Sequence, residues 1–236
     1  MSGEGPQQFP TTEWTMILAA GTDGSIARPA LERLCRKYWW PLFGFARRSG
    51  LSREAAEDMV QTYLLTVIER GSLTGVDRGN ARFRSWLLGG MEYAMADARR
   101  RDQAQKRGSG QVVFSLDESM TEVPAFPGLT AAEAYDRQWA QTVMLSAVNR
   151  LREEQRLAGK EARYRLLEGV VTGQDKTSYA DLALPLETSE KNVALMVHRL
   201  RTRLRDILRA EVAQTVSTPA DVEDEMRYLL TMARGA

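Results

Sequence analysis

Histidine and cysteine are nearly absent: His198 and Cys35 are the only ones in 236 residues. One cysteine excludes an internal disulfide and any cysteine-built zinc site, and it fits a reducing cytoplasm. His198 has no His or Cys companion for a metal and no nucleophile beside it, so a structural or phosphate-facing role is expected. No run approaches the ~18 apolar residues of a membrane helix, and no basic region followed by an apolar core marks a secretory leader. Phosphate-cradling glycine loops, serine elbows and paired metal-ligand motifs are missing too. The expectation is therefore no enzyme, no cofactor, no metal and no membrane association. Alternating strand patterns are also missing, which leaves an all-α fold.

What is present is charge, sorted by position. The formal net charge is only +1, yet Arg99, Arg100, Arg101, Lys106 and Arg107 stand against Asp102 alone. A second cluster, Arg199, Arg201, Arg203, Arg205 and Arg209, stands against Asp206. Between them, residues 108–136 hold Asp117, Glu118, Glu122, Glu133 and Asp136 and no Lys or Arg. Two basic clusters about a hundred residues apart suggest two contacts with a polyanion. A pI near 7.8 excludes a non-specific DNA coat.

Helical periodicity organises the rest. Ala56, Val60, Tyr63, Leu64, Val67 and Ile68 form one apolar stripe, with Ser52 as N-cap and Glu54 in the first turn. An earlier helix runs from residue 31 to 48, with Pro41 a candidate bend. A polar loop follows at residues 77–82, and helix resumes at residues 83–101. Trp39, Trp40 and Trp86 are expected in the core. Gly108, Gly110, Pro124, Pro127 and Gly128 punctuate an acidic, linker-like stretch on which no apolar period survives. Beyond it, Tyr135, Trp139, Val143, Ala147 and Leu151 recur every four residues, and another helix spans 161–171. The expected organisation is a tail over 1–13, a helical domain over 14–107, a flexible linker over 108–130, a second helical domain over 131–210 and an extension over 211–236.

The second domain carries the sharper pattern. A short helix at residues 179–183 and a turn at 184–188 precede a helix capped by Ser189. That helix turns Val193, Val197, Leu200 and Leu204 inward. This is the order of a helix-turn-helix, whose second helix enters the major groove. Lys191, Asn192 and Arg199 lie on its outer side. Base-edge contacts are expected from the first turns, with Arg201, Arg203 and Arg205 divided between phosphates and the protein surface.

Tyr179-Ala180-Asp181-Leu182-Ala183 followed by Val197-His198-Arg199-Leu200-Arg201 resembles region 4 of extracytoplasmic-function sigma factors, with Pro185 and Glu187 departing from the usual turn. Glu57-Asp58-Met59-Val60-Gln61 resembles region 2.2 of the same family, Phe83-Arg84-Ser85-Trp86-Leu87-Leu88 region 2.3, and Asp97-Ala98-Arg99-Arg100-Arg101 the end of region 2.4. The resemblance implies a monomer that binds core RNA polymerase at the β′ clamp helices and the β flap and directs promoter-specific initiation. It would read the −35 element with region 4 and melt and read the −10 element with region 2.

On that basis DNA contacts fall to Asn80, Arg82, Tyr93, Arg99, Arg100 and Arg101 in the first domain, and to Ser189, Lys191, Asn192, Arg199, Arg201 and Arg203 in the second. Aromatic groups can stack on unpaired bases while arginines hold the strand backbone. Polymerase contacts fall to Glu54, Glu57, Asp58, Gln61 and Thr62. The family usually has an acid directly after that glutamine and another three residues before the aspartate, where this chain has Thr62 and Ala55. A phosphate on Thr62, worth about −1.5 to −2 charges, would restore what is missing. The plainer alternative is drift compensated by Glu54; under the phosphorylation reading a Ser/Thr kinase is the upstream partner in place of an anti-sigma factor. The competing reading is a polymerase-binding sigma-like or helix-turn-helix regulator without autonomous promoter recognition.

Overall fold

The computed structural model describes residues 24–70, 82–106 and 126–234. Eight helices, and no strand, make up the described residues: α1 Gly24–Arg48, α2 Arg53–Arg70, α3 Phe83–Lys106, α4 Ala131–Leu157, α5 Glu161–Thr172, α6 Tyr179–Ala183, α7 Glu190–Ala213 and α8 Pro219–Arg234. The all-α expectation holds. The chain resolves into two compact units, residues 1–141 with 212–236 and residues 142–211. Helices α4 and α7 each run through a boundary between the units.

Unit 1 is built on stripes that the sequence announces. Leu31, Cys35, Tyr38 and Leu42 of α1 recur at intervals of three and four and are at most 2% exposed. Ala56, Val60, Tyr63 and Leu64 of α2 and Phe83, Leu87, Met91 and Met95 of α3 complete the same core. Pro41 does not divide α1, which stays continuous across both Pro29 and Pro41. The helix stops at Gly50, whose φ of 95° suits the left-handed turn that closes it. Arg47 donates to the Leu51 carbonyl at 2.8 Å across that turn. Ser52 caps α2 as expected, its Oγ accepting from the Ala55 amide at 3.2 Å.

Of the tryptophans expected inside, Trp39 and Trp86 are half-buried and Trp40 is 56% exposed. Trp40 lies off the 31/35/38/42 stripe, so burial of α1 does not carry it inward. Among the described tryptophans, Trp139 is fully buried.

Three segments remote in sequence finish unit 1. Phe126 is buried, and Arg48 donates to the carbonyls of Phe126 and Leu129 at 3.1 and 3.3 Å. The end of the acidic stretch is therefore anchored on α1, while Val112, Val113 and Phe114 lie outside the described residues. Thr130 and Glu133 cap α4 reciprocally, the Thr130 amide donating to Glu133 at 2.8 Å and the Glu133 amide to Thr130 Oγ1 at 3.2 Å. Helix α8 begins with Pro219 at its first position behind Thr218, whose Oγ1 accepts from the Asp221 amide at 3.3 Å. Its apolar face, Val222, Met226 and Leu229, is buried.

Unit 2 packs Val143, Ala147 and Leu151 of α4, Tyr164, Leu167 and Val170 of α5, Leu182 of α6, and Val193, Val197, Leu204 and Ile207 of α7. Leu200, expected inward, is half-buried.

Candidate polymerase and nucleic-acid interfaces

On α2 the buried stripe leaves an opposite face to solvent. Glu54, Asp58, Gln61 and Thr62 are exposed there and Glu57 half-exposed, at spacings of three and four. Arg53 pairs with Glu57 at 3.1 Å, a surface bridge beside which Glu54 and Asp58 keep the face acidic. Beside it runs an open groove of 610 Å³ between α1 and α2, lined by Cys35, Trp39, Trp40, Gln61, Leu65 and Ile68 among others. Trp40 and the 49% exposed Leu65 present large apolar surface on this groove. The sequence reading missed both; their positions off the buried stripes were the available signal.

On α3 the first turn and the last turns differ in kind. Arg82 lies 3.2 Å from Glu225, and its side chain keeps 27% exposure. Tyr93 is 69% exposed, with the Arg100 guanidinium 5.7 Å from its ring centre. Arg100 and Arg101 both pair with Asp97, one turn back, while remaining exposed themselves. Arg99 donates to the Ser49 carbonyl at 2.9 Å, which fixes it at the closed end of α1. Tyr93, Arg100 and Arg101 are thus gathered by one another and by Asp97. Asn80 lies outside the described residues.

In unit 2 the short helix α6 is capped by Ser178, whose side chain accepts from the Asp181 amide. The turn after it is closed by two backbone bonds, Glu187 amide to Leu184 carbonyl and Thr188 amide to Ala183 carbonyl, each 3.0 Å. Glu187 meets this geometry with φ of 49°, in the left-handed region that glycine adopts without cost. Pro185 sits exposed in the turn. Ser189 then accepts from the Asn192 amide at 3.3 Å, and Asn192 donates its side-chain amide to Thr188 Oγ1 at 3.1 Å.

The outer side of α7 divides by partner. Lys191, Asn192, Leu195, His198 and Arg199 are exposed on its first turns. Arg201 donates to the Val170 carbonyl at 2.7 Å and so satisfies the C-terminal end of α5. Arg203 grips Glu154 of α4. That hydrogen bond, more than charge alone, holds the Glu154 carboxyl below its usual range. Spacing alone does not separate these two arginines from Arg199, because α4 and α5 come from earlier in the chain.

Among the described residues no group of three or more His, Cys, Asp or Glu is placed to hold a metal, and no helix is long and apolar enough to cross a membrane. Comparison with curated proteins and with solved structures gives no match. A family model described as ECF sigma factor matches residues 12–210, the span that carries α2, α3 and the α6–turn–α7 unit. Coverage of most of the chain, over the elements whose exposed faces are acidic in one place and basic in two others, places this protein in the ECF sigma factor family.

Proposed function

We propose that this sigma factor docks on core polymerase through the solvent face of α2 and reads its promoter at two places. Glu54, Glu57, Asp58, Gln61 and Thr62 meet the β′ clamp helices, and the Trp40–Leu65 groove beside them supplies apolar area to the same contact. Tyr93, Arg99, Arg100 and Arg101 of α3, with Arg82 and Asn80 before them, engage the −10 element. Lys191, Asn192 and Arg199 of α7 engage the −35 element, with Ser189 fixing the first turn of that helix. Arg201 and Arg203 hold α7 against its own unit and contribute positive potential to nearby phosphates. The β flap is the second polymerase contact.

The observation that carries this reading is the start of α7. It is capped and exposed, presenting Lys191, Asn192 and Arg199 beside Glu190 over a buried Val193/Val197 stripe, behind a five-residue helix and a closed turn. The rival reading, a polymerase-binding regulator that does not recognise promoters itself, draws on Pro185 and Glu187. The closed backbone bonds of that turn favour the promoter-reading one.

Run-off transcription with purified core polymerase tests the proposal. Wild type should give promoter-dependent transcripts, and Asn192→Ala should relax preference at one −35 position at a cost of ~1–3 kcal/mol. Replacing Glu57 and Asp58 by arginine should abolish holoenzyme formation with helical content unchanged. Core binding without promoter dependence would leave the regulator reading standing.

A further inference from the structure

Arg82, Phe83 and Arg84 open α3, and all three are held by the part of the chain beyond residue 211. The Phe83 amide donates to the Thr215 carbonyl at 3.0 Å. Arg82 lies 3.2 Å from one oxygen of Glu225. Arg84 donates through Nε and Nη2 to both oxygens of the same carboxylate and through Nη1 to Asp136. Its guanidinium is also flanked by the rings of Tyr228 at 4.3 Å and Trp139 at 5.1 Å. The Tyr228 hydroxyl donates to the other oxygen of Asp136 at 2.6 Å, and the Tyr135 hydroxyl to the Arg84 carbonyl at 3.0 Å.

Glu225 is 1% exposed and Arg84 7%. Burial opposes the charge on Arg84, but the hydrogen bond and charge of Glu225, followed by Asp136, hold it protonated. Two arginines and two carboxylates balance, so the buried cluster carries no net charge.

A buried ion cluster of this kind is a poor way to gain stability, because an apolar replacement of the same shape often does as well. What it supplies is geometry. A bidentate arginine packed against two rings has its orientation fixed. Here that orientation fixes three consecutive residues at the start of the helix bearing Tyr93 and the Arg99–Arg101 run. We propose that α8 is a positioning element of −10 recognition: Glu225 and Tyr228, acting through Arg84, set the first turn of α3 and the direction of Arg82. This rests on the reading that α3 engages the −10 element.

The opposite role for an acidic helix is competition with DNA for Arg82. Burial argues against it. A competitor must leave when DNA arrives, and leaving would expose Val222, Met226 and Leu229 and strip Arg84 of its main partner. Arg82 retains exposed surface with α8 in place, so it is oriented and not covered.

The test uses the full chain and a promoter that the wild-type holoenzyme transcribes, with each −10 and −35 base replaced in turn. Glu225→Gln keeps the side chain's shape and removes its charge; Tyr228→Phe removes only the bond to Asp136. Thermal unfolding and core-polymerase binding are measured on both, so if Glu225→Gln fails to fold, Tyr228→Phe carries the comparison. The expected result is a fall in the ratio of native to substituted −10 binding, on the order of tenfold for Glu225→Gln and smaller for Tyr228→Phe. The −35 ratio should be unchanged.

A purely structural role would lower the active fraction and leave both ratios as they were, which would overturn the proposal. Increased transcription by either variant would overturn it too, in favour of competition. Tyr93→Ala and Arg99→Ala serve as the reference pair. If these leave the −10 ratio unmoved, the α3 reading falls and this one with it. If they lower the ratio and the α8 variants do not, only the role of α8 is wrong.

Discussion

The guanidinium of Arg203 spans both oxygens of Glu154, Nε at 2.8 Å and Nη2 at 2.7 Å, and so ties α7 to α4 inside unit 2. Arg199, four residues earlier on the same helix, is exposed on the side expected to face DNA. One turn of helix therefore separates an arginine engaged with its own fold from one directed outward.

Removing each should give different signatures. Arg203→Ala should lower stability by ~0.2–1 kcal/mol, the range for exposed pairs, with its two-point geometry favouring the upper end. Arg199→Ala should leave unfolding unchanged and lower DNA affinity. If Arg199 grips a phosphate, the salt slope should also fall by about one. Urea unfolding and salt-dependent DNA binding read the two effects separately. The Arg203 effect also has a pH sign. Because the hydrogen bond lowers the Glu154 carboxyl in the folded state, its contribution is present above the ordinary carboxylate range. It is lost as pH falls through the lowered value. Wild type and Arg203→Ala should therefore converge in stability in acid, and a gap that persists there would mean that the pair acts through packing.

Glu187 occupies the left-handed region with φ of 49°, which costs a residue with a Cβ roughly 1–2 kcal/mol. Glu187→Gly removes that strain and gives back part of it as unfolded-chain entropy. The expected net is a gain of about 0.5–1 kcal/mol in urea unfolding, with −35 binding unchanged. A loss of stability would reveal a stabilising contact of the glutamate side chain.

Thr62 is exposed, four residues after Asp58 on the face that carries Glu54 and Gln61. A phosphate there would add its charge to an acidic surface without entering the core. Thr62→Glu should therefore bind core polymerase more tightly than wild type, and Thr62→Ala no more tightly. Equal affinity of the three unmodified proteins would remove the phosphorylation switch and leave the α2 face intact as a docking surface.

Much of this was legible because it is local. Ser52 before the α2 stripe, Ser189 before α7 and the acidic face of α2 are each set by residues within a few positions. Glu225 and Arg84 are another matter: 141 positions separate them, and neither residue's surroundings in sequence distinguish it from a solvated charge. Arg84 even lies inside a stretch whose resemblance to promoter-melting segments suggests exposure, whereas its guanidinium is buried. Which arginines of α7 meet their own unit is equally non-local, since the partners of Arg201 and Arg203, Val170 and Glu154, are brought to them only by the packing of α5 and α4. The tryptophans show the converse: Trp139 falls on its helix's buried stripe and Trp40 does not.

Cys35 is buried to 2% exposure in the α1–α2 core. Burial, with the Glu32 carboxylate second, pushes its thiol up to about 12. The native protein should therefore react with iodoacetamide only as fast as unit 1 opens, and rapidly in urea. Its folded value lies above the unfolded one. The corresponding stability is thus whole at neutral pH and declines as pH rises from the ordinary thiol range toward 12. Rapid labelling of the native protein at neutral pH would mean that the groove beside Trp40 opens more readily than this packing implies.

Two adjacent glycines in α3 separate a tolerated residue from a required one. A Cβ on Gly89 meets nothing within 4 Å, whereas a Cβ on Gly90 would collide with the Tyr63 hydroxyl. That hydroxyl is fixed, because Tyr63 is buried and donates to the Leu87 carbonyl at 2.8 Å. Gly89→Ala should stabilise unit 1 by roughly 0.5–1 kcal/mol, the helix-interior difference between the two residues. Gly90→Ala must push Tyr63 off its bond and separate α2 from α3, at a cost of ~1–3 kcal/mol for overpacking. The displaced element is the helix proposed to dock on core polymerase, so core binding should weaken along with thermal stability in Gly90→Ala and in neither respect in Gly89→Ala. Equal stability of the two variants would mean that Tyr63 has room to move, and that the close approach of α2 and α3 at this point is not what sets the angle of the docking face.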